Sequence, residues 1–172
     1  HPIILTCDLE GAWGGRSHDV AYLQEGLPWL LDRLTQHSVT AIFFLSTEHL
    51  DGYLDLAKRL QAEGHIVGSH GHRHRSWRFR PWWQWRLDFM TAAGCLEKGL
   101  GVKRTGLLYR APKFSYVPDG QRYADPRGHV GLLKHVWTGQ PLTGAEIFYC
   151  HPFDWVRPAT RPPSLFAAAW YA

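Results

Sequence analysis

Three histidines fall within five residues at His70-Gly71-His72-Arg73-His74. On a helical turn, His70 and His74, four apart, would carry both imidazoles on one face. That spacing suits a metal ion once a third, oxygen ligand arrives from elsewhere in the chain. The same spacing also arises by chance in a chain with eleven histidines. What decides between these readings is which other polar groups the fold delivers to the same place.

Five apolar runs bear on that question. Ile3–Cys7 reads as a buried parallel strand ending in Asp8-Leu9-Glu10-Gly11, Thr40–Leu45 as a second, and His65–Gly68 as a third that hands over to the histidines. Ile147–Cys150 is a later strand ending in His151-Pro152, and Leu107–Arg110 is a further short strand. Between them, helical spacing of apolar residues predicts helices over 22–37, 51–62 and 81–98. Pro28 is acceptable only in a first turn, Pro81 opens the third helix, and Gly64 and Gly99 close the second and third. The segment 117–128 is turn-rich, 129–137 is a strand candidate, and the tail from Arg157 is irregular. Strand and helix in alternation indicate a parallel sheet or barrel. Its strand ends would gather Asp8, Glu10, His70, His74, Arg110 and His151 on one face. One carboxylate and two imidazoles make three protein ligands, the number in a catalytic zinc site that keeps a position open for water.

These motifs, in this order, resemble the polysaccharide deacetylases, also called the NodB-homology or carbohydrate esterase 4 family. The first motif is similar to Thr6-Cys7-Asp8-Leu9-Glu10-Gly11 and the second to His70 through His74. The third is similar to Arg110-Ala111-Pro112 and the fifth to Tyr149-Cys150-His151. The likeness departs at two places. No aspartate-tryptophan pair stands between Ser115 and Ile147, Asp154-Trp155 coming after His151 instead, and Lys113 occupies a position where many members have tyrosine.

The resemblance implies an α/β fold, a distorted or incomplete (β/α) barrel of the NodB type with mostly parallel strands, and a single domain over 1–172. It implies metal-assisted removal of an N-acyl group, usually acetyl, from an amino sugar. Glu10, His70 and His74 would hold one divalent metal, Zn²⁺ first, with Co²⁺, Ni²⁺ or Fe²⁺ as alternatives. Asp8 would be the general base, Arg110 would orient it, and His151 would protonate the leaving amine. The Lys113 backbone N–H would meet the developing oxyanion. Tyr149 would line the acyl pocket, with Lys113, Trp77 and Trp155 as further substrate contacts. His65 and His72 are read as lying outside the ligand set, and Cys7 and Cys150 as packing residues.

Composition narrows the partners. The chain has 172 residues, 45% hydrophobic and 20% charged, a net charge of +4 and three cysteines with no paired spacing. That suits a globular domain with free thiols, in a cytoplasmic or membrane-peripheral setting; a leader removed ahead of His1 would lead to the cell envelope instead. Arg73, Arg75, Arg78 and Arg80 interleave with Trp77, Trp82, Trp83 and Trp85, either as a basic loop before a helix or as a platform for sugar rings and anionic groups. An amino-sugar glycan or a lipid-linked sugar is the expected substrate, with peripheral membrane contact. Nucleic acid is not expected, because no nucleic-acid motif is present. Two rival functions are a deformylase or amidase acting on a lipid-linked sugar or other small amide, and a catalytically silent glycan-binding module of the same fold.

Overall fold

The structure, a computed structural model of the chain, describes residues 4–77, 79–105, 107–114, 147–152, 156 and 159, with only the backbone of 114 and 147–149. The strand expected over 129–137, the loop 117–128, Trp155 and, apart from 159, the tail from Arg157 lie outside the described residues.

Among the described residues, four strands form one parallel sheet: β1 (Ile4–Leu9), β2 (Ile42–Leu45), β3 (Ile66–Ser69) and β4 (Ile147–Cys150), in the order β3-β2-β1-β4. β1 runs two residues further than its apolar run, so Asp8 is a strand residue, paired in register with Phe44. The segment expected as a strand over 107–110 makes a single parallel bridge, Ser69 with Tyr109. Two hydrogen bonds hold it: the Ser69 amide donates to the Leu108 carbonyl at 2.8 Å, and the Arg110 amide to the Ser69 carbonyl at 2.9 Å. This one bridge is enough to extend the carboxyl edge of the sheet and to place Arg110 beside β3.

Helices α1 (Ala12–Gly15), α2 (Ala21–Gln36), α3 (Leu54–Ala62) and α4 (Trp82–Leu100) link and cover the strands. Two expectations are corrected. Pro28 is the eighth residue of α2, well past its first turn. The missing amide and the ring clash cost about 3 kcal/mol. Seven α2 residues are buried, among them Leu23, Leu27 and Leu31 with no exposed surface. At about 1.5–3 kcal/mol for each large side chain, that burial outweighs the proline. The third helix also continues past Gly99 to Leu100, with Gly101 as the residue that ends it.

The segment before α3, Thr47–Tyr53, is a 3-10 turn that buries Leu50 and Tyr53. Ala57 and Leu60 continue that buried stripe along α3. The core joins these side chains to Cys7, Leu9, Phe43, Leu45 and Cys150 from the strands. Both strand cysteines are buried and in no disulfide, as packing residues would be.

Candidate metal centre

The carboxyl ends of β1 and β3 meet at one point. Glu10 follows β1 and His70 follows β3, and both are fully buried or nearly so. One ligand atom each from Glu10, His70 and His74 lies within 4.8 Å of the others. Glu10 Oε2 is 2.5 Å from His74 Nε2 and 3.3 Å from His70 Nε2. It nonetheless makes no hydrogen bond of normal geometry, although it is buried. A buried carboxylate oxygen in that position, flanked by two imidazole nitrogens, is what a shared cation would satisfy.

The tautomer of His70 supports the same use. Its Nδ1 lies 2.9 Å from the Arg110 carbonyl, which can only accept, so Nδ1 carries the hydrogen, and in the neutral ring that leaves Nε2 as the nitrogen with the lone pair. The donor set is therefore one carboxylate oxygen and imidazole nitrogens, which fits a zinc-type divalent ion. Burial acts to raise the Glu10 pKa, but the His74, His70 and His151 imidazoles around it reverse this and hold its carboxyl well below the ordinary range.

Asp8 stands next to this group in a different role. Arg110 Nη1 donates to Asp8 Oδ1 at 2.6 Å, and Nη2 donates to Thr6 Oγ1 at 2.6 Å. The guanidinium also lies 4.3 Å from the centre of the Phe44 ring. Arg110 and Asp8 are 1% and 3% exposed, so this is a fully desolvated ion pair. Asp8 Oδ2 faces the metal group, 3.7 Å from His70 Nε2. His151 enters from the end of β4, its Nε2 3.7 Å from Glu10 Oε1.

The histidine motif is not helical. It is an irregular loop, and its backbone bonds go elsewhere. The Thr47 amide donates to the Gly71 carbonyl at 3.1 Å and the Glu48 amide to the His72 carbonyl at 2.9 Å. From the other side, Asp88 of α4 accepts the His72 amide at 2.8 Å and the Arg73 amide at 3.0 Å. His70 and His74 thus face one another, ring centroids 5.0 Å apart, because the loop is clamped from both sides. Gly71 has φ +85°, and a Cβ there would lie 2.8 Å from Asp88 Oδ2, so both conformation and space require glycine. Gly15, at φ +70°, likewise leaves room for His74, whose ring a Cβ would strike.

Asp88 escaped the sequence reading. Its only signal was an acid, alone between Glu63 and Glu97, on the buried side of a helix. Burial raises its pKa, against the pull of the Arg73 and His72 amides. Outer-shell partners of metal ligands typically carry ten- to a hundredfold in affinity. Asp88→Ala is expected to weaken metal binding by about that factor and Asp88→Asn by less, since Asn keeps one acceptor oxygen; competition titration with a chromophoric chelator reads both.

Of the other residues singled out, His65 Nδ1 lies 3.3 Å from the Ala41 amide and His72 Nδ1 3.0 Å from Thr47 Oγ1, so neither joins the metal group. Lys113 stands at φ 55° just after Pro112, and desolvation, followed by the Arg16 charge, lowers its pKa. Tyr149 pairs in register with Thr6, which sets its backbone beside the Asp8 strand. Trp77 is 6% exposed, so it offers no open stacking face; Trp82 and Trp83 are the exposed indoles of this region.

A peptidoglycan-N-acetylglucosamine deacetylase of Bacillus cereus is 42% identical over 50 residues, 29% of this chain and 18% of that protein. Matched segments cover between 17% and 25% of the curated relatives' lengths. Among solved structures, the peptidoglycan deacetylase PdaC from Bacillus subtilis superposes with a TM-score of 0.64 at 19% identity, covering 88% of this chain and 74% of its own. A carbohydrate esterase 4 family pseudoenzyme from Bacillus anthracis gives 0.61 at 20% identity, covering 88% and 56%. Both show the same fold, the NodB-type barrel anticipated from the motifs. The family model described as polysaccharide deacetylase matches residues 16–125, more than half of the sequence, and the chain belongs to that family.

Proposed function

We propose that the chain is a metal-dependent N-deacetylase that hydrolyses the acetamide of an N-acetylated amino sugar within a glycan. The observation that carries this is the meeting of Glu10, His70 and His74 beside the buried Asp8–Arg110 pair, in a member of this family. The name of the Bacillus cereus relative supports N-acetylglucosamine as the sugar.

Glu10, His70 and His74 would hold the cation, with Zn²⁺ the best match to the donor set. When bound, such an ion acidifies water and polarises a carbonyl. Asp8 then takes the proton of the attacking water. Its Oδ2 is free for this because Oδ1 is held by Arg110. Arg110 keeps the carboxylate in one orientation through a guanidinium that is itself fixed on Thr6 and Phe44. The Lys113 amide is assigned to the developing oxyanion and Tyr149 to the acyl methyl. His151 delivers a proton to the departing amine, so that one water and one amide become acetate and a free amino group.

The missing aspartate-tryptophan pair between Ser115 and Ile147 favours a second reading, a glycan-binding module that holds the metal without turnover. Zinc-loaded protein incubated with N-acetylglucosamine oligomers separates the two. Equal release of acetate and free amine is the expected result. Saturable oligomer binding with no release would establish the silent module, and release confined to N-formyl substrates would establish a deformylase.

A further inference from the structure

Helix α4 has two aromatic faces. One turns inward, where Trp85 stacks on Phe89 at 5.7 Å and both meet Tyr109 edge-on, ahead of the buried Ala92, Ala93 and Leu96. The other turns outward. Trp82 is 58% exposed, Trp83 55%, Leu87 64% and Met90 42%. At about 100° per residue these four share one side of the helix. Phe79, in the turn that leads into it, is 93% exposed. Arg86, also exposed, falls between Trp82 and Met90 by the same spacing, so the face is an exposed apolar stripe that carries a cation, and a stripe of this kind marks an interaction surface.

Its charge indicates what the surface meets. Between Glu63 and Glu97 the sequence has five arginines, Arg73, Arg75, Arg78, Arg80 and Arg86, and a single acid, Asp88. Asp88 is buried, with both oxygens committed to backbone amides. Arg73 reaches Glu48 at 3.7 Å. Among the described residues, Arg80 hydrogen-bonds the neutral Ser76 carbonyl and Gln84 side chain and forms no ion pair. The stripe is therefore edged by cations and has no surface carboxylate of its own, which matches an anionic partner.

Tryptophan, phenylalanine and leucine beside arginine is the composition of helices that lie in the headgroup boundary of a bilayer, where indoles sit partly in water and arginines meet phosphate. No described helix is long and apolar enough to cross a membrane, so the contact is interfacial. We propose that the outer face of α4, with Phe79 and Arg80, docks on an anionic phospholipid surface. The loop from His74 runs directly into this helix, so docking would set the metal centre next to the lipid. The inference stands apart from the deacetylase reading, because vesicle binding is read without turnover.

Flotation of the full chain with vesicles tests it. The protein is expected to float with vesicles of phosphatidylglycerol and phosphatidylcholine in equal parts. Binding to phosphatidylcholine alone should be at least about tenfold weaker. Trp82→Ser with Trp83→Ser, and separately Arg80→Gln with Arg86→Gln, should each lower partitioning about tenfold. Both pairs should keep the wild-type urea midpoint and metal content. Four results would overturn the proposal: no flotation, equal binding to neutral and anionic vesicles, variants that float like wild type, or a wild-type dimer that the tryptophan pair dissociates. The last would assign the face to a second copy of the chain.

Discussion

Asp8→Asn is expected to lower amide hydrolysis by about a hundred- to ten-thousandfold, the usual contribution of a positioned general base. The substitution keeps size and shape, and the Asn Oδ1 can still accept from Arg110 Nη1, which now donates at 2.6 Å. What it removes is the basic oxygen facing the metal group. Glu10, His70 and His74 are untouched, so metal content should match wild type. Acetate release in single turnover, with metal measured on the same samples, checks both halves. Full activity in Asp8→Asn would remove Asp8 from the chemistry; loss of metal together with activity would make it a structural support of the site.

The largest expected loss of stability comes from Arg110→Met. Arg110 is among the largest fully buried side chains of the protein, and its charge is shared between Asp8 and Thr6. Methionine fills similar space but leaves the Asp8 carboxylate buried without its cation. Removing one partner of a buried pair costs about 3–5 kcal/mol. That is a large fraction of the ~5–15 kcal/mol that holds a domain folded. Urea titration should show a lower midpoint with an unchanged slope. The double variant Arg110→Met with Asp8→Asn should recover part of the loss, since the stranded charge is gone. If the double variant were as unstable as the sum of the singles, the cost would lie in packing against Phe44 rather than in the ion pair.

How much of this was legible in the sequence follows from the range of the contacts. Asp8, Glu10, His70 and His151 follow short apolar runs, and parallel strands bring their carboxyl ends together, so strand reading and motif order were enough to collect them. The pairing of Arg110 with Asp8, 102 positions away, was legible only through the likeness of motifs, since no local spacing signals it, and its complete burial was not legible at all. Local spacing misled at the histidines. Imidazoles four positions apart looked like a helical turn, whereas Gly71, the Thr47–Glu48 backbone and Asp88 impose a loop with the same outcome. Pro28 misled in the opposite sense, because its penalty is local and the leucine burial that outweighs it is tertiary. Asp88 was invisible for the same reason, as its partners are backbone amides 15 and 16 residues earlier.

The central claim is that Glu10, His70 and His74 hold one divalent ion. It is tested most directly by metal content per chain after reconstitution with zinc, cobalt or nickel, comparing wild type with His70→Ala and His74→Ala combined. Close to one ion per wild-type chain, lost in a variant that keeps its far-ultraviolet circular dichroism, is the expected result. A wild type that takes up none of the three metals, or a variant that binds as much as wild type, would contradict the claim.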